Sequence, residues 1–166
     1  MTRKASFPPV VDAATRVLIL GSLPGDASLR AARYYAHPQN QFWRLLSPVV
    51  GADLPALPYD ARLAALLAAG VGLWDVVASA TRPGSSDAAI RDAAANDVGA
   101  LVAGLPKLRL VAFNGGTAWK HGRALVGGVA TLLLPSSSPL HTVGVAAKQA
   151  AWDAIGGYLY ARQSGN

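Results

Sequence analysis

The stretch Val17-Leu18-Ile19-Leu20-Gly21-Ser22-Leu23-Pro24-Gly25 decides the predicted fold. Its four leading apolar residues have the length and composition of a buried strand. The two glycines and the proline end that strand in a tight turn, which can leave backbone N–H groups exposed. Continuous apolar strands of this kind are typical of parallel sheets covered by helices on both faces. The segment therefore predicts an α/β fold.

Three further short apolar segments repeat this pattern, and Ala/Leu-rich stretches with helical spacing lie between them. The four predicted strands are Val17–Leu20, Leu73–Val77, Leu108–Phe113 and Thr131–Leu134. The five predicted helices are Asn40–Val50, Tyr59–Ala69, Asp87–Leu105 (with Ser86 or Asp87 as its N-cap), Thr117–Leu125 and Ala146–Tyr160. Right-handed crossovers then give a three-layer α/β/α fold around a central, mainly parallel four-stranded sheet. We expect a single domain over residues 1–166.

The composition limits both the chemistry and the partners. The chain has no cysteine, which excludes disulfides, cysteine nucleophiles and Cys-ligated metal centres. Its histidines, His37, His121 and His141, do not follow a zinc-binding spacing, so we expect no metal and no cofactor. Lys and Arg number 15 against 9 acidic residues, and a net charge of +6 suits a polyanionic partner. No signal peptide or membrane-spanning run is apparent, so we expect a cytoplasmic protein without a membrane partner. A monomer is the default expectation for its oligomeric state.

Ligand sites in parallel sheets lie beyond the carboxyl ends of the strands, so the four loops that begin at residues 21, 78, 114 and 135 are the candidates. The first loop continues through Arg33 to Trp43, the densest cluster of aromatic and polar side chains in the chain. Aromatic faces beside an arginine suit stacking on a base. We interpret Phe42 and Trp43 as core anchors, whereas packing does not readily explain Tyr34, Tyr35 and Asn40.

The other loops carry fewer polar groups. Asn114 offers an amide donor and acceptor that could read a base edge, and on local evidence it could equally form an Asx turn or a helix cap. The run Ser136-Ser137-Ser138 between two prolines forms a stiff, hydroxyl-rich turn that can hold phosphates. Leu140 follows it without an obvious core role and could act as a wedge in a duplex. Arg82, in the second loop, could contact DNA or belong to a solvated loop.

These motifs resemble a known family. The run Tyr35-Ala36-His37-Pro38-Gln39-Asn40-Gln41-Phe42-Trp43, preceded by a Gly-x-x-Pro-Gly strand exit, resembles the mismatch-specific uracil-DNA glycosylases. Gly21-Ser22, the Tyr34-Tyr35 pair and the Leu73-Trp74-Asp75-Val76 stretch are more similar to the hypoxanthine-DNA glycosylase branch of the uracil-DNA glycosylase superfamily. The resemblance extends roughly from Val17 to Trp152.

The resemblance implies a DNA glycosylase of base-excision repair. Such an enzyme hydrolyses the N-glycosidic bond of a deaminated base, here hypoxanthine or uracil, including bases in G:T or G:U mismatches, after flipping the base out of duplex or single-stranded DNA. No lysine lies in the four loops, so we expect hydrolysis without a Schiff base or strand cleavage. Hypoxanthine is the first expectation, because of the branch that the chain resembles.

The resemblance also implies roles for individual residues. Asn40 is the leading catalytic residue, and it could also cap the following helix. His37 is a second catalytic candidate that could polarise the leaving base. The expected base-binding residues are Tyr35, which would stack on the base, Asn114, which would read its edge, Ser22 and Leu23. The expected DNA-binding residues are Ser136, Ser137, Ser138, Leu140 and Arg82.

Two positions depart from the family pattern. Leu23 stands where the mismatch-specific enzymes have a water-positioning Asn, and Leu134 stands where a histidine precedes the fourth loop. Leu23 therefore leaves open a non-catalytic DNA- or nucleotide-binding module. A serine hydrolase using Ser138 and His141 is less favoured, because no G-x-S-x-G motif is present.

Overall fold

The computed structural model describes residues 3–82, 85, 90–141 and 143–160. The strands in these residues are β1 (Arg3–Ala5), β2 (Val17–Gly21), β3 (Val71–Asp75), β4 (Val77–Thr81), β5 (Arg91–Ala95), β6 (Leu110–Asn114) and β7 (Ala130–Leu134). The α-helices are α1 (Asp26–Ala31), α2 (Phe42–Val50), α3 (Tyr59–Ala69), α4 (Val98–Ala103), α5 (Gly116–Gly122), α6 (Val145–Asp153) and α7 (Gly156–Leu159). Short 3₁₀ turns lie at Leu54–Ala56 and Arg123–Leu125.

The central sheet has the order β3-β2-β6-β7, and each neighbouring pair is parallel. The prediction of a parallel four-stranded sheet in an α/β/α fold is therefore confirmed. Strand β2 lies in the interior of this sheet, and all five of its residues are buried. This burial explains its apolar sequence, since neither face of the strand meets water.

Alternate residues of β2 pack on opposite faces of the sheet. Val17 and Ile19 belong to a core cluster that also contains residues of α2, α3 and α6. Leu18 and Leu20 belong to a second cluster with residues of α4 and α5. Fully burying one such aliphatic side chain contributes about 1.5–3 kcal/mol, so the two clusters hold the sheet between its helical layers.

A second sheet was not predicted. In the chain region predicted as one strand over residues 73–77, β3 ends at Asp75 and β4 begins at Val77. Strand β4 pairs antiparallel with β1 and with β5, in the order β1-β4-β5. The second predicted loop was expected to begin at Ala78, but its first four residues, up to Thr81, belong to β4.

The prediction of a helix over Asp87–Leu105 is wrong for the described residues of its first half. Arg91–Ala95 form β5, and the helix begins only at Val98, where the Asp97 side chain accepts a hydrogen bond from the Ala100 N–H at 3.0 Å. The predicted caps Ser86 and Asp87 lie outside the described residues. Alanine favours helices by only tenths of a kcal/mol per residue, so pairing with β4 overrides that preference.

The remaining helices largely follow the sequence pattern. Helices α2 and α3 occupy the segments predicted as the first two helices, and α5 with its 3₁₀ turn covers the fourth. The fifth predicted helix is divided into α6 and α7. In the described part of the chain, we find no helix with the length and apolar character that a membrane crossing needs.

Candidate active site

One cavity of about 590 Å³ lies at the edge of the central sheet where the parallel strands end. Its volume is within the range of small-molecule pockets, about 300–1,000 Å³. Every residue predicted for the site lines it except Arg82, namely Ser22, Leu23, Tyr35, His37, Asn40, Asn114, Ser136, Ser137, Ser138 and Leu140. Asn40 and Asn114, which are distant in sequence, therefore face the same chamber. The fold brings them together because parallel strands place their exits at one edge.

Asn114, the last residue of β6, bridges two loops rather than capping its own helix. Its Oδ1 accepts a hydrogen bond from the Ser137 N–H at 2.9 Å, and its Nδ2 donates to Ser137 Oγ at 2.9 Å and to Tyr35 Oη at 3.3 Å. Gly115 has φ +98°, which lets the chain turn away directly after the amide. Both amide hydrogens are thus engaged, while Oδ1 retains a second lone pair.

Tyr35 is held in a conformation that non-glycine residues seldom adopt. Its φ is +52°, and its ring stacks on Phe42 with centroids 3.8 Å apart and an interplanar angle of 10°. The left-handed backbone costs about 1–2 kcal/mol, so this position is imposed by the surrounding packing. Since Phe42 covers one face of the ring, a flat ligand can stack only on the other face.

The neighbouring aromatic residues belong to the core. Phe42 is fully buried and Trp43 is 5% exposed, as expected for core anchors. The interpretation of Tyr34 as a residue without a packing role is wrong, because it is 4% exposed and its hydroxyl donates to the Pro8 carbonyl at 2.9 Å. Burial, with a smaller contribution from the Asp75 carboxylate, raises the pKa of Tyr34, which keeps its hydroxyl protonated.

Asn40 lies at the start of α2 and uses only part of its hydrogen-bonding capacity. Its Oδ1 accepts a hydrogen bond from the Phe42 N–H at 3.0 Å and so satisfies a free N–H of the first turn. The N-cap position predicted for Asn40 is occupied by Gln41, whose side chain makes no capping bond. Among the described residues, no acceptor for its Nδ2 is found. The nearby His37 is exposed, and its Nδ1 accepts a hydrogen bond from the Gln39 N–H at 3.1 Å. In the neutral ring, that contact places the remaining proton on Nε2.

The three serines of the fourth loop differ in exposure. Ser137 is 1% exposed and is bound to Asn114 on one side, while its carbonyl accepts from the Gln41 N–H at 2.9 Å. Its predicted contact with DNA does not fit this position, since the side chain faces the protein. Ser136 Oγ accepts from the Ser138 N–H and Ser138 Oγ from the Leu140 N–H, both at 3.1 Å. Both hydroxyls are thereby oriented, and their own hydrogens can still donate to a phosphate.

Arg82 does not lie on the surface, contrary to the prediction that it contacts DNA. The side chain is 1% exposed, and its guanidinium donates to the backbone carbonyls of Leu23 and Pro24. Arginine suits this role because its fork of donors can hold two carbonyls of one turn. Arg82 thus fixes the first loop from behind, and Leu23 packs against Val77 and Ala80 while lining the cavity.

Asp75, a buried carboxylate in the cavity wall, was not predicted as a site residue. It is the last residue of β3, it is 3% exposed, and it lines the same cavity. A Cβ on Gly21 would lie 2.6 Å from Asp75 Oδ1 and 2.9 Å from Tyr35 Oη, so only glycine fits between these groups. The available signal was an acidic residue at the end of the apolar run Val71-Gly72-Leu73-Trp74, which the prediction placed inside a longer strand.

The cavity offers no evident metal site. Within the described residues, no three His or Asp side chains come close enough together to hold an ion. The polar groups in the wall are amides, hydroxyls, the imidazoles of His37 and His141 and one carboxylate. This set suits hydrogen bonding to a planar polar ligand and stabilisation of a positive charge near Asp75.

Comparisons with known proteins show the family of this chain. A family model described as the uracil DNA glycosylase superfamily matches residues 8–156. A hypoxanthine DNA glycosylase from Methanosarcina barkeri is 42% identical over 151 residues, which cover 90% of this chain and 96% of the relative. A hypoxanthine DNA glycosylase from Methanosarcina acetivorans is 41% identical over 153 residues, covering 92% and 97%.

A solved structure has the same fold. It is the solution NMR structure of a Methanosarcina acetivorans protein assigned as a uracil DNA glycosylase. The two chains superimpose with a TM-score of 0.87 at 40% sequence identity, over 96% of this chain and all of the other. The fold similarity therefore extends over almost the whole chain.

Proposed function

Because the chain belongs to the uracil-DNA glycosylase superfamily, we propose that its cavity receives a deaminated base flipped out of DNA, with hypoxanthine as the preferred base. The observation that carries this proposal is the convergence of Tyr35, Asn40 and Asn114 on one cavity at the carboxyl edge of the sheet. The identity to two hypoxanthine DNA glycosylases supports the choice of base. The reaction is hydrolysis of the N-glycosidic bond, which leaves an abasic site and a free base.

Base recognition uses the rigid amide of Asn114 and the open face of Tyr35. Hypoxanthine and uracil share an edge in which a carbonyl adjoins a ring N–H. The second lone pair of Asn114 Oδ1 accepts that N–H without breaking the bonds to Ser137. Tyr35 stacks on the base with the face that Phe42 leaves open, and Ser22 and Leu23 close the cavity on the first-loop side.

Catalysis follows from charge stabilisation and a positioned water. As the bond between C1′ and the base breaks, its electron pair leaves with the base and the sugar becomes cationic. The buried Asp75 carboxylate stabilises this cation, because electrostatic stabilisation is strong where water is excluded. Asn40 Nδ2 donates to the attacking water, which adds to C1′ and loses a proton to the departing base or to solvent. The Nε2–H of His37 can polarise the carbonyl of the base.

A covalent enzyme intermediate is not part of this mechanism. Schiff-base formation needs an amine at C1′, and no lysine is found among the described residues that line the cavity. The product therefore remains an intact strand with an abasic site. The rival interpretation as a binding module is set aside, because relatives of over 40% identity that match nearly the full chain are glycosylases.

The DNA backbone contacts the fourth loop in this proposal. The oriented hydroxyls of Ser136 and Ser138 donate to phosphates, and Leu140, which is 67% exposed, fills the space left by the flipped base. We propose that the protein acts as a monomer on damaged duplex DNA in the cytoplasm.

The test is an excision assay in which the base and Asn40 are both varied. Labelled duplexes that carry hypoxanthine, uracil, xanthine or a G·T mismatch are incubated with the protein in EDTA, and abasic sites are then cleaved with alkali. We expect product from hypoxanthine first. DNA binding without product from any duplex would refute the assignment of this cavity.

Two variants separate the proposed catalytic role of Asn40 from its capping role. Asn40→Ala removes both, so we expect at least a 100-fold lower excision rate and a loss of about 1 kcal/mol of stability. Asn40→Ser keeps a capping oxygen without the amide donor, so it should lose the same activity with wild-type thermal stability. A serine variant with full activity would remove Asn40 from the reaction.

A further inference from the structure

Lys148 is a buried cation beneath the fourth loop that the mechanism above does not use. It lies in the middle of α6, and its side chain has no solvent exposure. Its Nζ donates to the Ser138 carbonyl oxygen at 3.3 Å. Burial lowers the pKa of Lys148, as expected for an ammonium removed from water. Lys148 does not line the cavity, so it contacts neither the base nor the sugar.

The ammonium is poorly compensated within the protein. Among the described residues, no carboxylate is found within ion-pair distance of Lys148 Nζ. The Ser138 carbonyl is a neutral acceptor, and it is shared with the His141 N–H at 3.1 Å. An ammonium has three donors, and a buried charge is costly unless an opposite charge offsets it.

The loop in front of Lys148 presents donors and no negative charge. Ser136 and Ser138 each accept a hydrogen bond from a backbone N–H of the loop through the hydroxyl oxygen, which leaves the hydroxyl hydrogens able to donate to a further acceptor. The loop contains no acidic residue from Pro135 to His141. Hydroxyl donors over a buried cation form a site for an oxyanion, and the only such group that a DNA duplex carries is the phosphodiester.

We propose that Lys148 is the counter-ion of a DNA backbone phosphate held by Ser136 and Ser138, and that it acts through the loop rather than by direct contact. The inference rests on the proposed function, because it places DNA on this loop. The ammonium also holds the carbonyl of Ser138, the residue whose hydroxyl accepts from the Leu140 N–H. The positive charge of Lys148 and its hydrogen bond to the Ser138 carbonyl thus both favour the state in which the loop holds a phosphate.

Removing the charge of Lys148 should weaken DNA binding without lowering the stability of the free protein, a combination that a purely structural lysine would not give. Replacing a buried, poorly paired ion by an apolar residue of similar length is often neutral or stabilising. We therefore expect Lys148→Met to keep or raise the melting temperature of the free protein while weakening its affinity for DNA about tenfold. If Lys148 only supported the loop, the same substitution would lower both the melting temperature and the affinity for DNA.

The experiment measures binding by fluorescence anisotropy to a duplex with a stable abasic-site analogue, between about 50 and 200 mM salt. The plot of log affinity against log salt should become shallower by up to about one ion in Lys148→Met. Lys107→Met is the matched control, because it removes the same charge from an exposed position just before β6, at the opposite edge of the sheet. It should change affinity by less than about twofold.

A second variant distinguishes charge from hydrogen bonding. Lys148→Gln keeps a donor for the Ser138 carbonyl without the charge, and it should lose as much affinity as the methionine variant. Wild-type affinity in the glutamine variant, or an unchanged salt dependence in both, would overturn the inference. If the wild-type protein excises hypoxanthine while all three variants bind DNA equally, this inference alone fails. If the wild type excises no base, the proposed function fails instead.

Discussion

Substitution of Gly21 by alanine is the sharpest test of the cavity wall. Gly21 ends β2 between Asp75 and Tyr35. A Cβ at this position would lie 2.6 Å from Asp75 Oδ1 and 2.9 Å from Tyr35 Oη, while ordinary van der Waals contact begins at 3.4 Å. Both groups are confined, because Asp75 is 3% exposed and the ring of Tyr35 is stacked on Phe42. Relief of the contact must therefore displace the carboxylate, the hydroxyl, or both.

The size of the effect follows from these distances. Restoring ordinary contact requires a shift of roughly 0.8 Å at the carboxylate, and a misplacement of about 1 Å can cost about 100-fold in rate. We expect kcat/KM for hypoxanthine excision to fall about 30- to 100-fold. The overpacked wall should also cost about 1–3 kcal/mol of stability. Affinity for abasic-site DNA should change little, since the fourth loop is not displaced.

The assay is single-turnover excision from a labelled hypoxanthine duplex, at a temperature where circular dichroism shows the variant to be folded. Gly116→Ala is the matched control, because a Cβ there meets no atom within 4 Å although the residue follows the neighbouring strand exit. The control should stay within about twofold of wild type. A Gly21→Ala variant with kcat/KM within threefold of wild type would refute the proposal that Asp75 and Tyr35 form the wall of the reactive chamber.

Two further predictions concern the charge in the wall and the wedge. Asp75→Asn keeps the shape of the side chain and removes its charge. For an assumed separation of about 6 Å between this charge and a cationic sugar, the interaction contributes about 3 kcal/mol at an effective dielectric constant of about 20, so the single-turnover rate should fall about 100-fold. A loss below threefold would exclude charge stabilisation by Asp75. Leu140→Ala should reduce excision most in well-paired duplexes, where base flipping costs most, and least in single-stranded DNA. An equal loss on both substrates would contradict the wedge role.

The sequence predicted the central sheet because its strands are defined locally. A strand buried on both faces must be apolar at each position, so residues 17–20 and 110–113 are recognisable without a partner. The second sheet has no such signal. Strand β5 reads Arg-Asp-Ala-Ala-Ala, which by propensity is helical, and β1 has only three residues. Their strand structure comes from pairing with β4, which is distant in sequence from β1 and is separated from β5 by a connection of nine residues.

Most residues that line the candidate site were likewise predicted, because they follow the predicted strands in the sequence. Polar residues that follow strands of one parallel sheet must meet at its carboxyl edge, and Asn40, Tyr35 and Asn114 do line one cavity. Which side of each loop a residue faces was not predictable. Ser137 and Arg82 have the side chains expected of DNA contacts, yet both are buried against other parts of the chain.

By itself, the sequence determined the parallel α/β core, the loops that form the site and the family that these loops resemble, because each depends on residues close together in the chain. The tertiary structure alone decided that Asp75 lies in the cavity wall, that Arg82 holds the first loop and that Lys148 lies beneath the serine loop. The physical reason is that burial and charge compensation depend on all the elements packed around a group, and those elements come from distant parts of the chain.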